Sequence, residues 1–137
     1  MSRTTPTTPI PTTPAAVAAA VLGAIEDRPD MFNMNYWVNL PEYGYLLPEE
    51  TPSCGTTLCA AGWAARLTGW TIHERDDGGP GVEMPDGCFT TSWAEKDGIR
   101  EYVGIVGAHA LGLDPEETFF HSTADVALNR LRLIAGE

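Results

Sequence analysis

Cys54-Gly55-Thr56-Thr57-Leu58-Cys59-Ala60-Ala61-Gly62-Trp63-Ala64-Ala65 sets two cysteines, separated by four residues, ahead of a small-residue run carrying one tryptophan. Glycine serves where a backbone must turn tightly or be approached closely. The run predicts a tight turn feeding a helix that starts near Thr56 or Thr57 and stops at Gly69, a left-handed cap. Apart from Arg66 and Thr68 this helix has almost no polar face, which predicts a central position in the core.

Upstream, Thr13 and Pro14 read as an N-cap and a proline at the first helical position, where its missing N–H is no loss. Val17, Val21, Ala24 and Ile25 recur at helical spacing, and Arg28-Pro29 ends the segment. Residues 1–12, rich in Thr and Pro, read as a flexible arm. Met31 to Trp37 reads as a turn or helical loop laid over the core. Pro41 to Pro52 reads as irregular chain punctuated by Gly44 and Pro48.

Downstream the pattern changes. Trp70-Thr71-Ile72-His73-Glu74, the Gly78-Gly79-Pro80-Gly81 break, Val82-Glu83-Met84 and Cys88-Phe89-Thr90-Thr91 predict two or three short strands joined by turns. Ile99, Tyr102, Val103, Val106, Ala110 and Leu113 predict a third helix with an apolar stripe. Asp114-Pro115-Glu116-Glu117 predicts a short helix ending near Phe119-Phe120, and Thr123 caps a last one facing Ala127, Leu128, Leu131 and Ile134 inward. The predicted class is mainly α (α+β). It comprises one domain over residues 13–137, four to five helices around the buried central helix, and a small antiparallel β insertion within 70–92.

A chain of 137 residues suffices for one domain with a single core. No apolar run approaches the ~20 residues of a membrane span, and the first residues do not read as an export signal. The expected compartment is the cytoplasm, with Cys54, Cys59 and Cys88 reduced. Net charge is −11, from 19 acidic and 8 basic side chains. Phosphate-backbone binding depends on Lys and Arg, so direct nucleic-acid binding is disfavoured; the acidic side chains read as a solvated surface, with an acidic face for a basic partner as the sharper alternative.

The pattern Cys54-Gly55-Thr56-x-x-Cys59-x-Ala61-Gly62-Trp63-Ala64 resembles the signature of small proteins of no established activity encoded by actinobacteria and their bacteriophages. Arg28-Pro29-Asp30-Met31-Phe32-Asn33-Met34 and Leu111-Gly112-Leu113-Asp114 are similar in layout too, and the likeness spans roughly residues 15–135. It implies an actinobacterial or phage origin, and it leaves the acidic, Gly-rich insertion at 74–87 without a counterpart. The stretch from Cys54 to Trp63 is also superficially similar to papain-type cysteine peptidases, but the Cys-Gly-Ser-Cys-Trp order is absent.

Several chemistries compete for these residues. A helix N-terminus favours a thiolate at Cys59, which His73, His109 or His121 could serve as base. Against this, Cys59 reads as a small packing residue. Cys54, Cys59 and Cys88 with one histidine would make four zinc ligands, but the pair spacing is wider than the common knuckle. A Cys54–Cys59 disulfide requires the turn to fold back over the helix start. Asp76-Asp77 lacks EF-hand spacing and reads as a turn. No metal or cofactor is assigned. Cys54, Gly55, Thr56, Cys59, Gly62 and Trp63 are read as a structural signature.

Aromatic residues give the functional expectation. Tyr36, Trp37, Tyr43 and Tyr45 fall in a Pro/Gly-punctuated stretch; they read either as a roof over the core under a long loop or, left at a surface, as binding anchors. The expected function is that of a non-enzymatic cytoplasmic accessory factor binding a host or phage protein. A small cysteine-dependent enzyme using Cys59 with a histidine, and a virion structural component, are the alternatives.

Overall fold

The structure, a computed structural model, describes residues 11–34, 38–40, 44–48, 50, 55–74, 82–83, 89–90, 92–114, 118–120 and 122–136. It is an α+β domain. Four helices are present among the described residues: α1 (Pro14–Asp27), α2 (Ala60–Leu67), α3 (Val103–Ala110) and α4 (Ala124–Ala135). Eight short strands accompany them: β1 (Val38–Asn39), β2 (Gly44–Leu46), β3 (Thr57–Leu58), β4 (Thr71–Glu74), β5 (Val82–Glu83), β6 (Phe89–Thr90), β7 (Ser92–Lys96) and β8 (Ile99–Tyr102). All pair antiparallel, as a four-stranded sheet in the order β2-β4-β7-β8 and as the pairs β1-β3 and β5-β6.

This overturns the predicted mainly α class with a small β insertion within 70–92. The main sheet takes β2 from a stretch that reads as irregular, and most of β7 with all of β8 lies beyond residue 92. The deciding turn is Asp97-Gly98. Both residues have positive φ, 52° and 82°, as a two-residue hairpin whose twist matches its strands requires. Ile99 and Tyr102, assigned to the third helix, are therefore strand residues paired with Lys96 and Trp93. Tyr102 then caps α3 directly, with no intervening loop. The second helix also starts later than predicted. Thr57 and Leu58 pair with Asn39 and Val38, and Cys59 is extended (ψ 179°) as the N-cap of α2. Phe119 and Phe120 lie in non-helical chain, both buried; residues 115–117 of the helix predicted before them fall outside the described residues.

Local chemistry explains the helix ends. Thr13 Oγ1 accepts from Ala16 N and Thr123 Oγ1 from Val126 N, satisfying one orphan donor at each start. At the end of α2, Gly69 N–H donates to Arg66 O and Trp70 N–H to Ala65 O, with Gly69 at φ 96°. This is a Schellman closure, for which glycine is the low-cost residue. It turns the chain straight into β4.

The helices form one layer and the main sheet the other. α1 packs on α4 and α2, α2 packs on α3, and α2 and α3 meet the sheet. Leu46, Ile72 and Ala94 face the helices and are buried. In α2, Ala60 through Ala65 are all buried. A β-carbon built on Gly107 of α3 would lie 2.7 Å from both Cα and Cβ of Ala61, so the two helices cross with no room for a side chain there.

Candidate functional site

On an antiparallel sheet, residues directly opposite one another share a face. The register Tyr45↔His73↔Trp93↔Tyr102 therefore lines four large side chains across the sheet surface turned away from the helices. Three of them form a stack that continues into Arg100. Tyr45 and His73 ring centroids are 5.9 Å apart at 40°. His73 and Trp93 are 5.0 Å apart and nearly parallel, at 4°. The Arg100 guanidinium carbon lies 4.6 Å from the Trp93 ring centroid. Each step is close to the ~4.8 Å between neighbouring strands, so the sheet itself sets the spacing of the row.

The row is buried at Trp93 and Tyr102 and open at Tyr45. Trp93 is 5% exposed whereas Tyr45 is 60% exposed. Among the described residues the buried Trp93 indole N–H has no hydrogen-bond partner, a cost of about 1–3 kcal/mol in a folded protein. His73 Nε2 stands 2.9 Å from Glu95 Oε1. Burial nevertheless holds the His73 pKa below its usual 6.5, outweighing the attraction of Glu95, and Arg100 adds to the lowering.

Of the predicted contact residues, Tyr45 lies in this row; Tyr36, Trp37 and Tyr43 lie outside the described residues. His73, Trp93 and Arg100 were not read as partners of Tyr45, since only the strand register unites them. The alternation of His73 with Ile72 and Glu74, and of Trp93 with Ala94, was the signal available.

The described signature residues cluster around the start of α2. Gly55 adopts φ 95°, and its carbonyl accepts from Asn39 Nδ2 at 3.5 Å. Thr56, Cys59, Gly62 and Trp63 are buried. Trp63 Nε1 donates to Met31 O at 3.1 Å, anchoring α2 to the 3₁₀ turn Pro29–Met31, and Met34 Sδ accepts from Ala60 N at 3.4 Å. Cys54 lies outside the described residues.

Cys59 has a free thiol in this structure. Burial pushes its pKa up from 9.0 to about 11, although hydrogen bonds from the backbone at Gly62, Ala61 and Cys59 itself pull the other way. The helix N-terminus that favours a thiolate thus loses to desolvation, because the cap position is sealed in the core.

A separate cleft of about 440 Å³ opens between α3 and the β7–β8 hairpin, with Trp70, Ile99 and Val106 among its apolar lining and Lys96, Glu101 and His109 among its polar groups. Lys96 Nζ donates to Thr68 O at 3.1 Å, and a Glu101 carboxylate oxygen accepts from Tyr102 N at 3.0 Å. Both side chains tie into the cleft wall. Pro11 and Thr12, the described end of the N-terminal arm, also border it.

Among the described residues, no three His, Cys, Asp or Glu side chains gather as a metal site, and no helix is long and apolar enough to cross a membrane. Comparison with protein-family models, with curated proteins and with solved structures finds no match to this chain.

Proposed function

We propose that this chain is a non-enzymatic accessory factor of actinobacterial or phage origin that acts in the cytoplasm by binding a host or partner protein. The observation that carries the reading is Tyr45: it is 60% exposed at the open end of a row of planar side chains whose centre is buried. A rigid aromatic ring held in place by its neighbours loses little entropy on binding, which is what an interface anchor needs. The net charge of −11 speeds encounter with a basic surface.

The rival reading of a Cys59 enzyme has the weaker support, since a thiol with a pKa near 11 is almost wholly protonated at neutral pH. The test is affinity capture from an actinobacterial lysate at physiological salt, wild type against Tyr43→Ala/Tyr45→Ala. Wild type should enrich a partner that the double variant loses. No enrichment, or full retention by the variant, overturns the reading.

A further inference from the structure

β2 is an edge strand: among the described residues it pairs with β4 alone. Its other side is where the stack stops. From Arg100 through Trp93 and His73 to Tyr45, each planar group stands about one strand spacing from the last, at 4.6, 5.0 and 5.9 Å. One spacing beyond Tyr45 is the position of a side chain on a strand added to β2. The row already ends in a guanidinium at its far side, where Arg100 covers Trp93. A second cation over Tyr45 would fall within the ~6 Å reach of a cation–π contact.

Charge points the same way. Residues 29–65 contain Asp30, Glu42, Glu49 and Glu50 but no Lys or Arg, and of the flanking cations Arg28 pairs with Asp30 while the Arg66 guanidinium donates to Glu50 O. Glu42 precedes β2 by two residues, while Glu49 and Glu50 follow shortly after it. The net charge of −11 favours a basic segment at this edge over an acidic one. A second copy of the chain carries the same net charge of −11, so self-pairing is disfavoured. Pro41 and Pro48 bracket the strand and cannot donate to a ladder, which limits any added partner to a short segment.

Resting on the reading of this protein as a binding factor, we propose that β2 is a docking edge for a short, extended, basic segment of a partner protein, which adds as a fifth strand and sets an arginine guanidinium on Tyr45. Main-chain hydrogen bonds to the edge supply affinity, and the stacked cation supplies register and selectivity.

The test is selection of random octapeptides displayed against the full-length protein at physiological salt. Enriched peptides should carry an arginine flanked by β-branched or aromatic residues. For a selected peptide, affinity should fall at least tenfold with Tyr45→Ala, with arginine replaced by glutamine, and with N-methylation of the pairing backbone amides. Amide exchange at residues 44–46 should slow on binding. An unchanged melting temperature for Tyr45→Ala shows that the loss is at the surface. Peptides that bind but are indifferent to Tyr45→Ala or to N-methylation overturn the edge proposal while leaving a binding factor standing. Concentration-dependent dimerisation abolished by Tyr45→Ala overturns it in favour of a second copy. If no peptide is enriched the edge proposal fails, and if the lysate capture is also empty the broader reading fails with it.

Discussion

Replacing Gly107 by alanine puts one methyl group at the crossing of α2 and α3. The added carbon would sit 2.7 Å from Ala61 Cα and Cβ and 3.1 Å from Ala61 O. Carbon atoms in contact prefer about 3.5–4.0 Å, so the helices must separate by roughly 1 Å or the backbone must shear. Neither atom belongs to a flexible side-chain end. The helix being displaced has Ala60 to Ala65 buried, so moving it loosens packing along most of its length. Overpacking of this kind costs about 1–3 kcal/mol and more where the contact is backbone. Alanine returns up to about 1 kcal/mol through helix propensity. A net loss of about 2 kcal/mol follows, or a fall of about 8 °C in Tm for a chain of this size.

The control is the same substitution elsewhere. Gly23 lies in α1, and a β-carbon built there meets nothing within 4 Å. Gly23→Ala should gain about 0.5–1 kcal/mol by restricting the unfolded chain. Urea unfolding followed by far-ultraviolet circular dichroism should therefore move the two midpoints in opposite directions. Ala61→Gly added to Gly107→Ala should rescue little, because the clash with Ala61 Cα remains and a second helical glycine costs about 1 kcal/mol. A Gly107→Ala variant as stable as wild type would refute the close crossing of α2 and α3.

Three further outcomes follow from the sheet and the cap. Trp93→Phe removes a buried N–H that has no partner among the described residues, so its stability should lie within about 1 kcal/mol of wild type by urea unfolding, against a loss of about 3–5 kcal/mol for Trp93→Ala; equal losses would show that the indole N–H is satisfied. Burial lowers the folded-state pKa of His73, so the unfolded chain takes the proton more readily, and the stability this neutral imidazole contributes is complete above about pH 6.5 and is lost as pH falls. Wild-type stability relative to His73→Gln should therefore decline from about pH 7 to pH 5, and a flat or rising difference would contradict it. In a Cys54→Ser/Cys88→Ser background, the Cys59 thiol should resist an aromatic disulfide reagent at about pH 8 and react fully in urea, whereas rapid native labelling would mean the cap is open.

The starts of α1 and α4 were legible because their signals are local. Thr13 with Pro14, and Thr123, need only their own neighbours to act as caps, and the hydroxyls accept where the sequence places them. The strand–helix junction at Tyr102 was misread for a physical reason. Ile99, Tyr102, Val103 and Val106 carry spacings of three and four across a boundary where the backbone changes from strand to helix. Hydrophobic spacing alone cannot see that boundary, because two apolar residues three apart in a strand mimic one turn of helix. Asp97-Gly98 was the local signal that should have prevailed, since few other pairs accept two consecutive positive φ values.

The stacked row belongs to a different order of information. Tyr45, His73, Trp93 and Arg100 lie on four strands, of which only β7 and β8 are neighbours in sequence, and a slip of one residue at any pairing would send a member to the core face. The buried neighbours hold the register: Leu46, Ile72 and Ala94 alternate with Tyr45, His73 and Trp93, and must face α2 and α3 for the core to close. Packing beneath the sheet therefore dictates which side chains stack above it. The same dependence explains Cys59, whose position at a helix start argues for a reactive thiolate until the helix is sealed in the core, where desolvation decides the outcome. Exposure of Tyr45 is the exception: the register fixes its neighbour His73 on one side, and the ring stays open to solvent because the packing beneath the sheet does not reach past the edge strand.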